Sequence, residues 1–436
     1  TILFTTAWNS GLYRIDENGG EYEPVLIPDR ASSYAFTWPS VLPGGQEMLF
    51  NRWGSAPALM RLDLTEMTES VVVPGQWRRS SYVSSGHIVF AGDGGDILAL
   101  PSGQDAAQSM TPELVLENVH GGAGIGYARM AVSQNGTLVY APLDASKRSL
   151  AIVDYSGRIE PVNADLGNYE GLSVSPDGSR VAINSNFQLF IHDLERGGRV
   201  PLAPELPVTQ APVWSTDGMR VNFASNHNGT WNLYSKAASG SGEVEVLLES
   251  RFDQMPTGVI ADGRLVYQEI HESSGADIWL LPVGGDPEPW LVTPAEEGLA
   301  QPSPSGEVMA YMTNVSGRFE ISIQDLDRVF EPLRISTAGG TSPRWSASGE
   351  RLYFRQGHQL MVSDISTKPV LAASVPDVIF GGGWELSHQA DPLFSSYGVL
   401  SEDRFLMVRH PPESVPTRIN VIFNWSQELR ERVPVP

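Results

Sequence analysis

The stretch Ser175-Pro176-Asp177-Gly178, followed by Arg180-Val181-Ala182-Ile183, decides the fold of this chain because it recurs. The same pattern of a turn followed by an apolar run is found in 215–223 (STDGMRVNF) and in 261–267 (ADGRLVY). Asp-Gly is typical of tight turns, because glycine adopts the positive φ that such turns need and aspartate bonds nearby backbone amides. Each copy is therefore predicted to join two short strands.

Weaker copies of the turn extend the pattern along the whole chain. They are Pro43-Gly44-Gly45, Ser85-Gly86, Gln134-Asn135-Gly136, Pro304-Ser305-Gly306, Ala347-Ser348-Gly349 and Glu402-Asp403. Successive turn glycines are 40 to 50 residues apart, which is the period of one four-stranded blade in a β-propeller. The repeat predicts an all-β chain of antiparallel blades. Helical periodicity appears only in the tail, at 426–433.

The number of strand pairs that follow a turn predicts about ten repeat units. They start near Ile2, Met48, His87, Thr137, Arg180, Arg220, Arg264, Glu307, Arg351 and Arg404. No Pro/Gly/Ser-rich linker separates the halves of the chain, so we expect one large ring over residues 1–436, closed by contact of its N- and C-terminal units. Two smaller propellers are the alternative, since ten blades exceed the common four to eight.

Side-chain size alternates just before the turns. The residue four before the turn glycine is often large, as at Trp214 and Trp345, whereas the residue five before is mostly small. Because neighbouring residues of a strand face opposite ways, large side chains of one blade can pack against small ones of the next. The tryptophans are therefore predicted to be wedges between blades. Gln301 and Arg344 are exceptions among the residues five before the glycine.

The composition limits the partners and the cellular location. Lys and Arg total 29 against 51 Asp and Glu, and a net charge of −22 repels nucleic acid and anionic lipid. Cysteine is absent, which fits an extracytoplasmic bacterial protein. No apolar run reaches the roughly 18 residues of a membrane span. The chain starts inside a repeat unit, so we expect a mature or excised fragment of a longer protein.

No familiar catalytic motif occurs in the sequence. A Gly-x-Ser-x-Gly elbow is absent, His271-Glu272 lacks the second histidine of a zinc protease, and no protein-kinase string is present. The glycine-rich run 121–126 does not match a phosphate-binding loop and leads into a predicted strand. These observations favour a chain without phosphoryl-transfer or serine-hydrolase chemistry, and without a cofactor or metal.

Candidate ligand-binding residues are those on loops and inner strands that converge on the channel mouth of a propeller. The candidates are His120, Tyr127, Arg129, Tyr169, Gln210, Gln254, Gln301 and Arg344. His120 lies in a glycine-rich connection and is the histidine best placed to join others around an axis. The alternative role for the inner-strand residues is hydrogen bonding between blades.

The strings Leu172 to Gly178 (LSVSPDG) and Ala211 to Gly218 (APVWSTDG) resemble the TolB-like propeller repeat, a relative of WD repeats. The order of weaker strings, among them Gly11 to Arg14 (GLYR), 139–142 (VYAP) and 419–425 (INVIFNW), is similar to the C-terminal propeller region of bacterial eukaryotic-like serine/threonine protein kinases. This resemblance implies a sensor or protein-interaction module outside the membrane, and it carries no catalytic residues over to this chain.

The sequence therefore predicts a non-catalytic propeller that binds a peptide, protein or small ligand at one face of its ring. An alternative is a propeller enzyme, a polysaccharide lyase or hydrolase, with a site assembled across blades at the channel mouth. A third interpretation is the propeller of a peptidase of the prolyl oligopeptidase group without its hydrolase domain; the Asn424-Trp425 ending, with no hydrolase sequence after it, makes it the weakest of the three.

Overall fold

The computed structural model describes most of the 436 residues. The description leaves out 7–10, 30–34, 55, 93–94, 104–110, 118, 120–128, 134, 143–147, 163–168, 272–274, 369, 382–394, 410–418 and 436. The described residues form 39 short strands in ten sheets and a single helix of eight residues. Every strand pairing is antiparallel. The prediction of an all-β chain built from four-stranded antiparallel sheets is confirmed, while the number of blades stays a prediction.

The chain separates into two compact units. The first consists of residues 1–146 and 413–436, and the second of residues 147–412. The second unit is thus inserted into the sequence of the first. Both chain termini belong to the first unit.

Four sheets make up the first unit. Their strands, in spatial order, are β1 (Ile2–Phe4), β2 (Leu12–Ile15) and β3 (Glu23–Leu26); β4 (Ala35–Val41), β5 (Glu47–Trp53), β6 (Ala58–Asp63) and β7 (Thr68–Pro74); β11 (Glu113–Leu116), β10 (Ile97–Pro101), β9 (His87–Ala91) and β8 (Arg78–Val83); and β12 (Met130–Val132), β13 (Leu138–Tyr140) and β39 (Asn420–Ile422). The helix α1 (Trp425–Arg432) follows β39 and confirms the helical periodicity predicted for the tail.

The C-terminal segment is held in the first unit by strand pairing, packing and hydrogen bonds. β39 pairs with β13, and Trp425 of α1 packs in a core with residues of β8 to β13. Buried His87 donates from Nε2 to the Val433 carbonyl at 2.6 Å and accepts from Ser85 Oγ at 2.8 Å. The β13–β39 pairing and the His87–Val433 hydrogen bond join residues 280 or more positions apart in sequence.

Six sheets make up the second unit, and they are named A to F here. Sheet A contains β16 (Tyr169–Val174), β17 (Arg180–Ser185), β18 (Gln188–Asp193) and β19 (Arg199–Pro201), and sheet B contains β20 (Thr209–Trp214), β21 (Arg220–Ser225), β22 (Asn232–Ala237) and β23 (Glu245–Leu248). Sheet C contains β24 (Asp253–Val259), β25 (Leu265–His271), β26 (Gly275–Leu281) and β27 (Glu288–Leu291), and sheet D contains β28 (Glu297–Pro302), β29 (Val308–Thr313), β30 (Glu320–Asp325) and β31 (Leu333–Arg334). Sheet E contains β32 (Thr341–Trp345), β33 (Arg351–Gln356), β34 (Gln359–Ser366), β35 (Ala372–Ala373) and β36 (Asp377–Gly381), and sheet F contains β15 (Ile159–Pro161), β14 (Ser149–Asp154), β38 (Arg404–Arg409) and β37 (Tyr397–Ser401).

The first strands of these sheets form a closed ring. β16, β20, β24, β28, β32 and β37 contact one another in that order, and β37 contacts β16 in turn. We call these six the inner strands. Sheet F combines both ends of the unit, since β14 pairs with β38 over six residues. A sheet shared between the two ends closes the ring by backbone hydrogen bonds, and the edges that remain in each sheet are short.

The expectation of one ring over residues 1–436 does not describe these contacts. The six inner strands close on each other within residues 147–412, so no place is left among them for a strand of the first unit. The division corresponds to the alternative of two smaller arrays. Closure of the first unit as a ring of its own stays a prediction.

The recurrent turns are formed as the sequence predicts. Gly178 and Gly218 have φ of 72° and 66°, and the side chains of Asp177 and Asp217 accept hydrogen bonds from the backbone two residues on. The Ser175 hydroxyl also donates to Asp177. These hydrogen bonds to the ionised form lower the pKa of Asp177 to about 2.

The inner strands approach one another closely. Trp214 Nε1 donates to the Ser173 carbonyl of the preceding inner strand at 2.8 Å, and Trp345 Nε1 donates to the Gln301 carbonyl at 3.0 Å. Both indoles are buried, which confirms the prediction that they are wedges between blades. At Gly258 an added Cβ would lie 2.5 Å from Pro302 Cδ, so only glycine fits between these two strands.

Candidate functional site

One residue of each inner strand occupies an equivalent position relative to the turn that follows the strand. Each turn begins at a position that is serine in five of the six sheets. We call the six residues that lie two positions before it the ring-centre layer. Its members are Ser173, Val213, Gly258, Gln301, Arg344 and Val399. All except Gly258 are partly exposed. Because the inner strands are those that contact each other around the ring, this layer surrounds the ring axis.

The two polar members with long side chains are neighbours in the ring-centre layer. Gln301 lies on β28 and Arg344 on β32, and these strands are in contact. The Gln301 amide donates to the Thr257 carbonyl of β24 and to the Ala300 carbonyl. Arg344 Nη1 donates to the Pro343 carbonyl at 3.0 Å. The layer therefore has one cationic side, while its other members are small or apolar.

Three further predicted residues lie on inner strands and are buried. Gln210 Nε2 contacts Met255 Sδ of the next inner strand at 3.4 Å, and Gln254 Nε2 donates to Glu269 Oε2 at 2.9 Å. Tyr169 begins β16, and its carbonyl accepts from Arg148 Nη1. Gln210 and Gln301 thus bond between sheets, in agreement with the alternative structural role. Ligand binding by these residues stays a prediction.

The other predicted residues do not join this set. His120 and Tyr127 lie outside the described residues, as does the glycine-rich run 121–126. Arg129 is exposed and precedes β12, so it belongs to the first unit. Binding of a ligand by the eight predicted residues together stays a prediction.

A histidine and a buried glutamate are paired at the end of β25. His271 Nε2 donates to Glu269 Oε1 at 3.0 Å, and the Phe252 ring lies 3.9 Å from the His271 ring, centroid to centroid. Glu269 also accepts from Gln254 Nε2 and from Ser250 Oγ. Since one ring nitrogen is held by the carboxylate, the histidine is fixed in orientation as a general base would be.

Residue pattern alone could have identified this pair. Glu269 and His271 are two positions apart on a strand, so their side chains share a face. In the sequence, His271 also stands next to Glu272, where the two residues resemble the start of a zinc motif. In the described residues, no group of three His, Asp or Glu side chains is arranged to hold a metal ion.

The fold of this chain is similar to that of proteins of known structure. The structure is similar to a protein described as TolB from Agrobacterium tumefaciens, with a TM-score of 0.50 and 18% identity, over 61% of this chain and 99% of that one. A match to TolB from Acinetobacter baumannii has a TM-score of 0.42 and 15% identity, over 78% of this chain and 79% of that one. The fold is a TolB-like β-propeller.

Sequence comparison gives a shorter match. A protein described as a Tricorn-like protease C-terminal subunit from Sulfurisphaera tokodaii is 32% identical over 73 residues, which are 16% of this chain and 8% of that protein. The matched stretch is thus a small part of both proteins. No protein-family profile matches the chain. The resemblance to the propeller region of bacterial kinases stays a prediction, and no described helix of the propeller has the length and apolarity to cross a membrane.

A second buried carboxylate of the propeller is only partly hydrogen-bonded. Glu297 begins β28, and its Oε1 accepts from Thr293 Oγ1 at 2.7 Å and from Thr313 Oγ1 at 3.3 Å. Its Oε2 is buried without a hydrogen-bond partner among the described residues. Burial, together with the negative charge of Asp277, raises the pKa of Glu297 to about 6, although the Thr293 bond opposes this rise.

We expect Glu297→Gln to raise the free energy of unfolding at pH 7 by about 2 kcal/mol. The unfolded chain loses this proton near pH 4.5 and the folded propeller near pH 6, so the stability contributed by the protonated carboxyl is present below pH 4.5 and lost as the pH rises to 6. Glutamine keeps the acceptor for both threonines and has no proton to lose.

Urea unfolding at pH 4, 5, 6 and 7 measures this effect. The wild-type protein should lose stability relative to Glu297→Gln between pH 4.5 and pH 6. Glu307→Gln is the control, because Glu307 is exposed in the turn before β29 and its removal should leave the pH profile unchanged. Parallel profiles of the wild type and Glu297→Gln would contradict the assignment.

Proposed function

We propose that this propeller is a non-catalytic binding module and that its second unit binds a peptide or protein segment at the centre of the six-sheet ring. The observation that supports this proposal is the ring-centre layer. Its partly exposed residues are small or apolar on three strands and have long polar side chains on the two adjacent strands β28 and β32. A concave site with few polar groups on one side is typical of ligand recognition.

The surrounding polar groups are already held in place. Gln210, Gln254 and Gln301 each bond to a neighbouring strand, and the Tyr397 hydroxyl donates to the Ser342 carbonyl of the adjacent inner strand at 2.8 Å. A rigid ring loses little conformational entropy when a ligand enters it. Preorganisation of this kind supports binding without a conformational change.

We expect Val213→Trp to weaken binding at least tenfold, because an indole on β20 would occupy the space at the ring centre. The ligands for this test are peptides selected from a random display library on the immobilised wild-type protein, and affinity is measured by fluorescence anisotropy. Met219→Trp is the matched control, since Met219 is 68% exposed in the turn of the same sheet. Selected peptides that bind Val213→Trp with wild-type affinity would place binding elsewhere and overturn the proposal.

A second candidate function is catalysis by the Glu269–His271 pair. A histidine held at 3.0 Å by a buried carboxylate is an oriented acid–base group, as a polysaccharide lyase or hydrolase would use. Turnover of a panel of polysaccharides by the wild-type protein, lost in His271→Gln, would favour this candidate over the binding module. Metal analysis of the same preparation tests whether a divalent ion takes part.

The setting of the module is also a proposal. We infer an extracytoplasmic location and a place within a longer sensor protein from the cysteine-free, acidic composition and from the resemblance of the sequence to kinase-linked propeller regions. The sequence preceding Thr1 in the gene tests both inferences. A kinase domain and a membrane helix there would support the sensor role.

A further inference from the structure

The ring-centre layer contains a single charged residue, Arg344, and its charge is not balanced by an ion pair. The guanidinium donates to the carbonyl of Pro343 at 3.0 Å, and none of the described carboxylates lies within ion-pair distance of it. Two other arginines in or next to sheets D and E differ, since Arg318 pairs with Glu320 and Arg351 with Asp364.

Burial makes this isolated charge costly. Desolvation lowers the pKa of Arg344, while the nearby Tyr397 opposes that shift, yet arginine stays protonated at any physiological pH. A partly buried cation without a counterion loses part of its solvation, and an anion that enters the site would offset this loss. The arrangement therefore favours binding of a negatively charged group.

A second polar group close in sequence lacks a partner. Ser342 is completely buried at a strained position of β32, with φ of 54°, and its hydroxyl forms no hydrogen bond in the described residues. Its carbonyl accepts from the Tyr397 hydroxyl. A buried hydroxyl without a hydrogen-bond partner costs about 1–3 kcal/mol.

We propose that the centre of the six-sheet ring binds a carboxylate through Arg344. This inference rests on the proposed ring-centre binding and names the chemical group that is recognised. A guanidinium holds a carboxylate with two parallel hydrogen bonds. One arginine balances one negative charge, so a carboxylate is favoured over a phosphate dianion, whose second charge would stay unpaired in the ring.

The probes for this proposal are butyrate, its neutral isostere butyramide and inorganic phosphate, observed by ligand-detected NMR with the full chain. We expect butyrate to bind the wild-type protein and butyramide to bind at least tenfold more weakly. Arg344→Gln should lose butyrate binding at least tenfold, whereas Arg344→Lys should keep part of it because the charge is retained. Arg351→Gln is the matched control, since Arg351 lies on the neighbouring strand β33 and pairs with Asp364.

The outcomes separate this inference from the proposed function. Equal binding of butyrate to the wild type and to Arg344→Gln, absence of butyrate binding, or binding of phosphate in preference to butyrate would overturn the carboxylate site. If the carboxylate site is overturned and Val213→Trp still abolishes binding of the selected peptides, the proposed peptide binding at the ring centre stands without the carboxylate site. Circular dichroism of each variant verifies folding, and Arg344→Lys keeps the test valid if Arg344→Gln does not fold.

Discussion

Replacing Trp425 by alanine is expected to lower the free energy of unfolding of the first unit by about 3–5 kcal/mol. Trp425 is 1% exposed and belongs to a core that combines α1 with residues of β8 to β13. Truncation removes the buried indole and leaves a cavity, and the surrounding strands cannot close it without losing their pairing. A loss of this size is comparable with much of the stability of an ordinary domain.

Hydrogen exchange measured by mass spectrometry shows the effect directly, because peptides that contain β9, β10 and β13 should exchange faster in Trp425→Ala. Phe423→Ala is the matched control. Phe423 is two residues away and 74% exposed, so its truncation should change stability by less than about 0.5 kcal/mol. Equal exchange in the two variants would show that α1 does not stabilise the first unit.

The second large effect is expected in the sheet that closes the ring. Phe405 on β38 is completely buried, and its ring packs edge-on against Tyr353 of sheet E at 4.9 Å between centroids. We expect Phe405→Ala to cost about 3–5 kcal/mol. The loss weakens the contact between sheets E and F, and F is the sheet that joins both ends of the second unit.

Urea unfolding measures this loss of stability, and hydrogen exchange of peptides that contain β14 and β38 locates it. Phe330→Ala is the control, since Phe330 is 67% exposed near the outer strand of sheet D. Unchanged protection of β14 and β38 in Phe405→Ala would contradict the role assigned to sheet F.

The candidate site was only partly predictable from the sequence. Gln301 and Arg344 stood out as polar residues at positions that are otherwise small, and both belong to the ring-centre layer. Gln210 and Gln254 were also singled out, but they are buried and bonded to neighbouring groups. The burial of Gln210 could not be judged from its distance in sequence to the turn, because a bulge after Gln210 shifts the register of β20.

Other features of the site depend on distant residues. The raised pKa of Glu297 results from burial and from Asp277 on another sheet, and no local pattern reports burial. The Glu269–His271 pair is different, since two residues at i and i+2 on a strand share a face. That pair was predictable from the sequence and was missed.

The amino-acid sequence by itself determined the strands and the turns. Turn chemistry and alternating side chains act over a few residues, so they can be recognised without knowledge of the fold. Only the tertiary structure decided how the units are grouped. β14 pairs with β38, and β13 pairs with β39, and both pairings join strands about 250 or more residues apart. Such partners are selected by packing and by the need to pair every open edge, and no local propensity encodes that choice.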